Sequence, residues 1–309
     1  MIRGGVRIDD TFAEAFGMKA ARVLVTADTA SWARQAVASA CGFATSVIGC
    51  GCEAGLEREL DPGETPDGRP GAAMLLFAVS GGELARQLER RIGQCVLTCP
   101  TTAVFSGADA ADGGEPIALG RNLRYFGDGW QMSKVLAGRR YWRVPVMDGE
   151  FLIEESTGVL KGIGGGNLLV LARQRAQALH ACEAAIEACR SLPGVIAPFP
   201  GGIVRSGSKV GSRYPKLAAS TNHAFCPTLR GAVDGELDAA SAAVMEIVFD
   251  AVDDQAMRAA MGAAMRAVCD IGADGGVLRI SAGNYGGKLG KHHYHLREIL
   301  EQQAGGGRP

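Results

Sequence analysis

The apolar segments of this chain fall into one order twice, and that repetition narrows the fold more than any other feature. In the first half, residues 22–27 read as a strand, and a helix follows with Thr29 as its N-cap and Trp32, Ala36, Val37 and Ala40 on one stripe. Gly42 closes that helix, and 45–49 and 72–79 read as the next strands. Leu84, Leu88 and Ile92 recur at i, i+4, i+8, the spacing of an amphipathic helix, and 95–98 and 103–105 read as extended. The second half repeats the pattern. A strand at 164–171 leads to a helix carrying Leu179, Cys182, Ile186 and Cys189, which Pro193-Gly194 ends. A strand near Val195 and another at 242–249 follow. Asp253 or Asp254 then caps a helix with Met257, Met261, Ala264 and Val268, before a last strand at 277–282. This order predicts an α+β chain of two ferredoxin-like (split βαβ) lobes, each an antiparallel sheet with two helices on one face, related by internal duplication. The expected division is 1–146 and 147–309, with a hairpin-bearing insertion at 121–143 whose turn signal is Gly127-Asp128-Gly129.

Bulk properties exclude several classes. At 309 residues, 47% hydrophobic and 21% charged, the chain is globular, and a net charge of -1 argues against a general nucleic-acid binder. No apolar run reaches signal-peptide or membrane-spanning length, so no membrane association is expected. Nine cysteines, an odd number without a framework, read as reduced thiols in a cytoplasm. Cys50-Gly51-Cys52 and Cys95/Cys99 lack the spacing of zinc or iron–sulfur sites, and His292-His293-Tyr294-His295 has no i, i+4 pair. No metal site is expected. Gly49-Cys50-Gly51-Cys52-Glu53-Ala54 matches a relaxed dinucleotide pattern, but Pro62 and Gly63 interrupt the helix that pattern needs.

Three stretches carry the chemistry. Residues 198–212 are too rich in glycine and proline for a helix and too long for a simple turn. With Pro200, Gly201, Gly202, Ser206, Ser208 and Lys209 they read as a binding loop. Residues 281–291 place Asn284, Lys288 and Lys291 among glycines after a strand, which suits a ligand with several carboxylates or phosphates; a plain C-terminal turn is the alternative. Residues 94–105 present Gln94, Thr101 and Thr102, the hydroxyls serving either a ligand or local backbone. Glu246 stands out because it lies in a strand apolar on both faces. Desolvation there is expected to raise its pKa and leave a neutral proton donor for an oxyanion, unless an Arg or Lys pairs with it structurally.

These stretches resemble a known family. The segments 64–71, 92–105, 198–203, 206–212 and 282–291 are similar to those of formylmethanofuran–tetrahydromethanopterin formyltransferases, and the likeness runs from Asp10 to Leu300. The resemblance implies two ferredoxin-like lobes, a fold name that involves no iron–sulfur cluster. It implies reversible formyl transfer between N5 of tetrahydromethanopterin and the amine of methanofuran, both carriers acting as co-substrates with no permanently bound cofactor. Glu246 matches a family glutamate thought to act near the reacting carbonyl. Gln94, Thr101, Thr102, Pro200, Gly201, Gly202, Ser206, Ser208, Lys209, Asn284, Lys288 and Lys291 match its substrate-binding stretches. Cys41, Cys50, Cys52 and the Arg/Ala/Gly bias resemble the branch of methylotrophic bacteria. That branch implies a formyltransferase/hydrolase complex with a zinc-dependent hydrolase subunit, self-association, and flow of one-carbon units from formaldehyde towards formate. A non-catalytic scaffold for the hydrolase, or formyl transfer to another amine, are the competing readings.

Overall fold

The computed structural model describes residues 1–108, 114–205 and 209–305. The chain forms two compact units, Met18–Gly162 and a second built from Met1–Gly17 with Ile163–Pro309. Met1–Gly17 groups with the second unit because Val6–Ile8 pairs with Val277–Ser281 and residues 12–15 pair with His292–His295.

In chain order the elements used below are β1 (Val6–Ile8), β2 (Phe12–Thr26), α1 (Ala30–Cys41), β3 (Glu53–Leu60), β4 (Gly71–Ala78), α2 (Gly81–Arg91) and β5 (Ala103–Ser106). Next come β6 (Met132–Leu136), β7 (Arg139–Val146), β8 (Gly149–Glu154), β9 (Leu160–Ala172), α3 (Arg175–Cys189), β10 (Val195–Ile196) and β11 (Ile203–Val204). The last are β12 (Ala243–Ala251), α4 (Asp254–Ile271), β13 (Val277–Ser281), β14 (His292–His295) and α5 (Leu296–Gly305). The chain is α+β, as expected, and its strands pair almost entirely antiparallel.

In unit Met18–Gly162 the strands run β3–β4–β2–β5, every neighbour antiparallel. The sheet continues through β8, parallel to β5, into the antiparallel β7 and β6. All eight residues of β4 are buried, which explains its unbroken apolar sequence. Leu84, Leu88 and Ile92 are fully buried with Ala33 and Val37 in one core. Each such aliphatic side chain contributes about 1.5–3 kcal/mol. Thr29 Oγ1 accepts from the Trp32 N–H at 3.3 Å and Ser80 Oγ from the Glu83 N–H at 3.2 Å, so both helices begin at a hydroxyl cap.

Two local expectations fail here. Residues 45–49 are no strand: the Ser46 hydroxyl caps a short helix, Val47–Cys50, and the strand begins at Glu53 after Gly51 at φ +80. The run 95–98 is not extended, because α2 passes into a π-helical turn, Ile92–Val96, closed by the Leu97 N–H to Ile92 O bond at 2.8 Å. The insertion carries a hairpin, β6–β7, which turns at Ala137 and Gly138, both at positive φ, and Gly127-Asp128-Gly129 makes a separate turn in which the Trp130 N–H donates to the Gly127 carbonyl at 2.8 Å.

In the other unit the order is β10 and β11 beside β12, then β9, β13 and β1; β13 and β1 are parallel and the other neighbours antiparallel. One sheet face carries Leu168, Val170, Ile247 and Phe249 into a core with Ala181 and Cys182 of α3 and Met257, Met261 and Met265 of α4. The other face carries Leu169 and Leu171 against Phe225. Asp253 is the cap of α4, its Oδ1 accepting from the Ala256 N–H at 2.7 Å.

Candidate active site

Strand register places Glu246. It lies opposite Leu169 of β9 on one side and Val204 of β11 on the other. Directly opposed residues share a face, so Glu246 points away from α3 and α4, to the side held by Leu169 and Phe225. It is 3% exposed and lines a shallow pocket with Val204, Arg205, Asn222 and Phe225. The Gly/Pro loop contributes by building β11. Pro200–Gly202 form a 3₁₀ turn with Gly201 and Gly202 at φ +64 and +79, and Gly202 sits so close to Ile186 that a Cβ would fall 2.5 Å from its Cδ1. Pro200, Gly201 and Gly202 thus set the strand beside Glu246. Ser206 and Ser208 lie outside the described residues.

Asn222 and Phe225 also line a larger cavity of about 470 Å³, walled by Lys209, Asn284, Tyr285, Arg7 and Arg297. Its guanidinium groups carry carboxylate partners: Arg7 with Asp238 at 3.0 Å and Arg297 with Asp10 at 3.1 Å. Lys209 differs, its Nζ lying 2.9 Å from His223 Nδ1. Asn284 Nδ2 donates to Thr11 Oγ1 and the Phe12 carbonyl, so this amide braces the cavity wall.

The turn after β13 is organised by a residue that sequence reading passed over. Glu14, 1% exposed, accepts the backbone N–H groups of Tyr285 (2.6 Å), Gly287 (2.9 Å), Leu289 (2.7 Å) and Gly290 (2.6 Å). Burial pushes its carboxyl up, but the four donors together outweigh that and hold it at about 2. These backbone donors of the turn are taken by the protein's own carboxylate, while Lys288 and Lys291 remain exposed side chains on the same turn. The signal available in sequence was a lone Glu in an otherwise apolar strand start. Tyr285 stacks obliquely on Phe16 at 6.1 Å, and burial, then the charges of Glu246 and Glu14, push its hydroxyl up to about 12. It is a proton-bearing donor in the cavity at neutral pH.

Gln94, Thr101 and Thr102 belong to the unit Met18–Gly162. Gln94 is exposed, and its carbonyl accepts from Thr98 Oγ1 at 2.7 Å. Thr102 is buried and donates to the carbonyls of Val96 (2.6 Å) and Cys99 (3.0 Å), the backbone-capping alternative. Thr101 adopts φ +64, with its N–H given to Asp148 and its Oγ1 accepting from the Asp28 N–H. His292–His295 form strand β14 with Tyr294 buried between them. Among the described residues no group of three or more His, Cys, Asp or Glu side chains is arranged to hold a metal ion, and no helix is long and apolar enough to cross a membrane.

Similarity to known proteins covers the same segments. Residues 1–146 match the family model for formylmethanofuran-tetrahydromethanopterin formyltransferase, and residues 149–299 match the model for its proximal lobe. The chain belongs to the formylmethanofuran–tetrahydromethanopterin formyltransferase family. It is 62% identical over 300 residues to a formyltransferase of that name from Methylococcus capsulatus, covering 97% of this chain and 100% of the relative. It is 52% identical over 306 residues to one subunit of the formyltransferase/hydrolase complex from Methylorubrum extorquens, covering 97% of each. Among solved structures, the formyltransferase/hydrolase complex from Methylorubrum extorquens with methylofuran superposes with a TM-score of 0.94 at 51% identity, covering 97% of this chain and 98% of that one.

Proposed function

We propose that the chain moves a formyl group reversibly between N5 of tetrahydromethanopterin and the amine of methanofuran. The carrying observation is Glu246, a carboxylic acid 3% exposed in the wall of a pocket that shares Asn222 and Phe225 with the 470 Å³ cavity. The amine nitrogen attacks the formyl carbon, the C=O becomes a tetrahedral oxyanion, and its collapse returns the C=O as the C–N5 bond breaks, the one proton shed by the amine nitrogen balancing the one gained by N5. Glu246, entering protonated, donates to that oxyanion. Orientation by the two carriers' tails supplies much of the remaining rate. Lys209, Lys288 and Lys291 meet tail carboxylates, with Pro200–Gly202, Ser206, Ser208 and Asn284 shaping the carrier surface of their own unit, while Gln94 and Thr101 offer a carrier contact on Met18–Gly162 and Thr102 holds the backbone behind Thr101.

Two ferredoxin-like lobes arising by duplication, divided at 146/147, form part of this reading. Its support is that β3–β4–β2–β5 and β10/β11–β12–β9–β13 follow one order, and that the two family models meet between 146 and 149. In the cell the chain works in the cytoplasm, self-associates, and joins hydrolase subunits, one zinc-dependent, that release formate. The likeness to the Methylorubrum complex favours this. Assaying the purified chain alone for formyl transfer decides between enzyme and docking scaffold: no transfer with authentic carriers would leave the scaffold. Methanofuran with and without its glutamate tail tests the acceptor.

A further inference from the structure

Glu14 is a heavily engaged buried carboxylate that the reaction above does not use. Both oxygens are occupied: Oε2 accepts from Tyr285 and Gly287, Oε1 from Leu289 and Gly290. Four donors on one carboxylate fix a turn of six residues from a single point, because moving any one N–H strains its neighbours through the chain. At the other end, Asn167 Oδ1 accepts the Gly283 N–H at 2.6 Å and Asn167 Nδ2 donates back to the Gly283 carbonyl at 3.2 Å.

The turn has a definite place relative to Glu246. Leu169 of β9 is opposite Glu246 on β12 and opposite Ser281 on β13. The chain therefore leaves β13 at the level of Glu246, and four residues later Tyr285 enters the cavity wall. Between Ser281 and Gly290 the fastening points are Asn167 and Glu14, with Asn284 bonded to the same strand start that carries Glu14.

We propose that Glu14 is a positioning residue of the formyl-transfer site, its carboxylate gathering the turn 285–290 so that the Tyr285 hydroxyl is presented towards the pocket of Glu246. This rests on the formyl-transfer reading. Glutamine cannot replace Glu14, since its NH2 group would meet two N–H donors with a third donor. A displacement of about 1 Å at a reacting group costs roughly 100-fold in rate.

The test is a double-mutant cycle in the full chain with Glu14→Gln, Tyr285→Phe and the pair, read as kcat and KM, alongside amide hydrogen exchange of residues 285–290. Glu14→Gln is expected to release those amides, to lower kcat roughly 100-fold with KM changed far less, and to add nothing to Tyr285→Phe. Should Glu14→Gln fail to fold, Glu14→Asp, which keeps the charge but withdraws it, takes its place in the cycle. Effects that multiply in the pair, or released amides with kcat intact, overturn the positioning role. An inactive wild type with slow amides that Glu14→Gln frees would instead overturn formyl transfer, and with it the role in catalysis, while leaving Glu14 as the anchor of the turn.

Discussion

Glu14 Oε1 accepts the backbone N–H of Gly290 at 2.6 Å across 276 positions of chain. Because the Glu14 carboxyl is held at about 2, below its ordinary 4.5, folding favours its ionised form. The stability this supplies is complete above pH 4.5 and is lost as pH falls through about 2. Thermal unfolding of wild type and Glu14→Gln from pH 7 to pH 2 should give curves that converge on the acid side. A constant gap throughout would mean that the carboxylate charge is not what holds the turn.

Gly290 itself has no room for a side chain. A Cβ there would lie 2.4 Å from the Ala15 carbonyl oxygen and 2.9 Å from Glu14 Cγ. Gly290→Ala is therefore expected to cost about 1–3 kcal/mol in denaturant unfolding. An unchanged midpoint would show that the turn can shift without penalty.

If Glu246 donates to the oxyanion as proposed, Glu246→Gln, which keeps a hydrogen-bond donor, should retain part of kcat, whereas Glu246→Ala should lose roughly 100- to 1000-fold. Circular dichroism should be unchanged in both. Equal activity in wild type and the two variants would remove Glu246 from the mechanism.

Lys209 faces the cavity 2.9 Å from His223 Nδ1. If it meets a carrier carboxylate in solvent-screened surroundings, Lys209→Ala should raise KM for that carrier roughly fivefold, about 1 kcal/mol, with kcat preserved. Steady-state kinetics with each carrier varied separately would show which one. A loss confined to kcat would place Lys209 in the chemistry instead.

The thiols should separate sharply in reactivity. Burial pushes Cys41, Cys182 and Cys189 up to about 12 and Cys269 to about 11. Burial also pushes Cys50 upward, but backbone hydrogen bonds at Ser46 and Thr45, the Thr45 hydroxyl and the Arg91 charge bring it below the usual thiol range. Brief alkylation at pH 7 followed by peptide mass spectrometry should find Cys50 modified first. Prior labelling of Cys182 would contradict this packing.

Much of the architecture was legible because local rules were obeyed. Thr29 and Asp253 cap where a hydroxyl or carboxylate precedes an apolar stripe, and Leu84, Leu88 and Ile92 are buried at their helical spacing. Strand β3 escaped notice because Glu53, Glu57 and Arg58 disguise it. Glu57 is buried by its ion pair with Arg22 at 2.6 Å, a partner 35 residues away. Residues 45–49 misled because apolar β-branched character cannot register that Ser46 caps the backbone.

Sequence alone determined the α+β order, the helix caps and the oddity of a glutamate at 246, since these depend on neighbours within a few residues. Tertiary structure decided which strands lie at the level of Glu246 and which carboxylate takes the donors of the turn at 285–290. Register and hydrogen-bond satisfaction join residues hundreds of positions apart, and a backbone N–H carries no side-chain signature of the partner it will find.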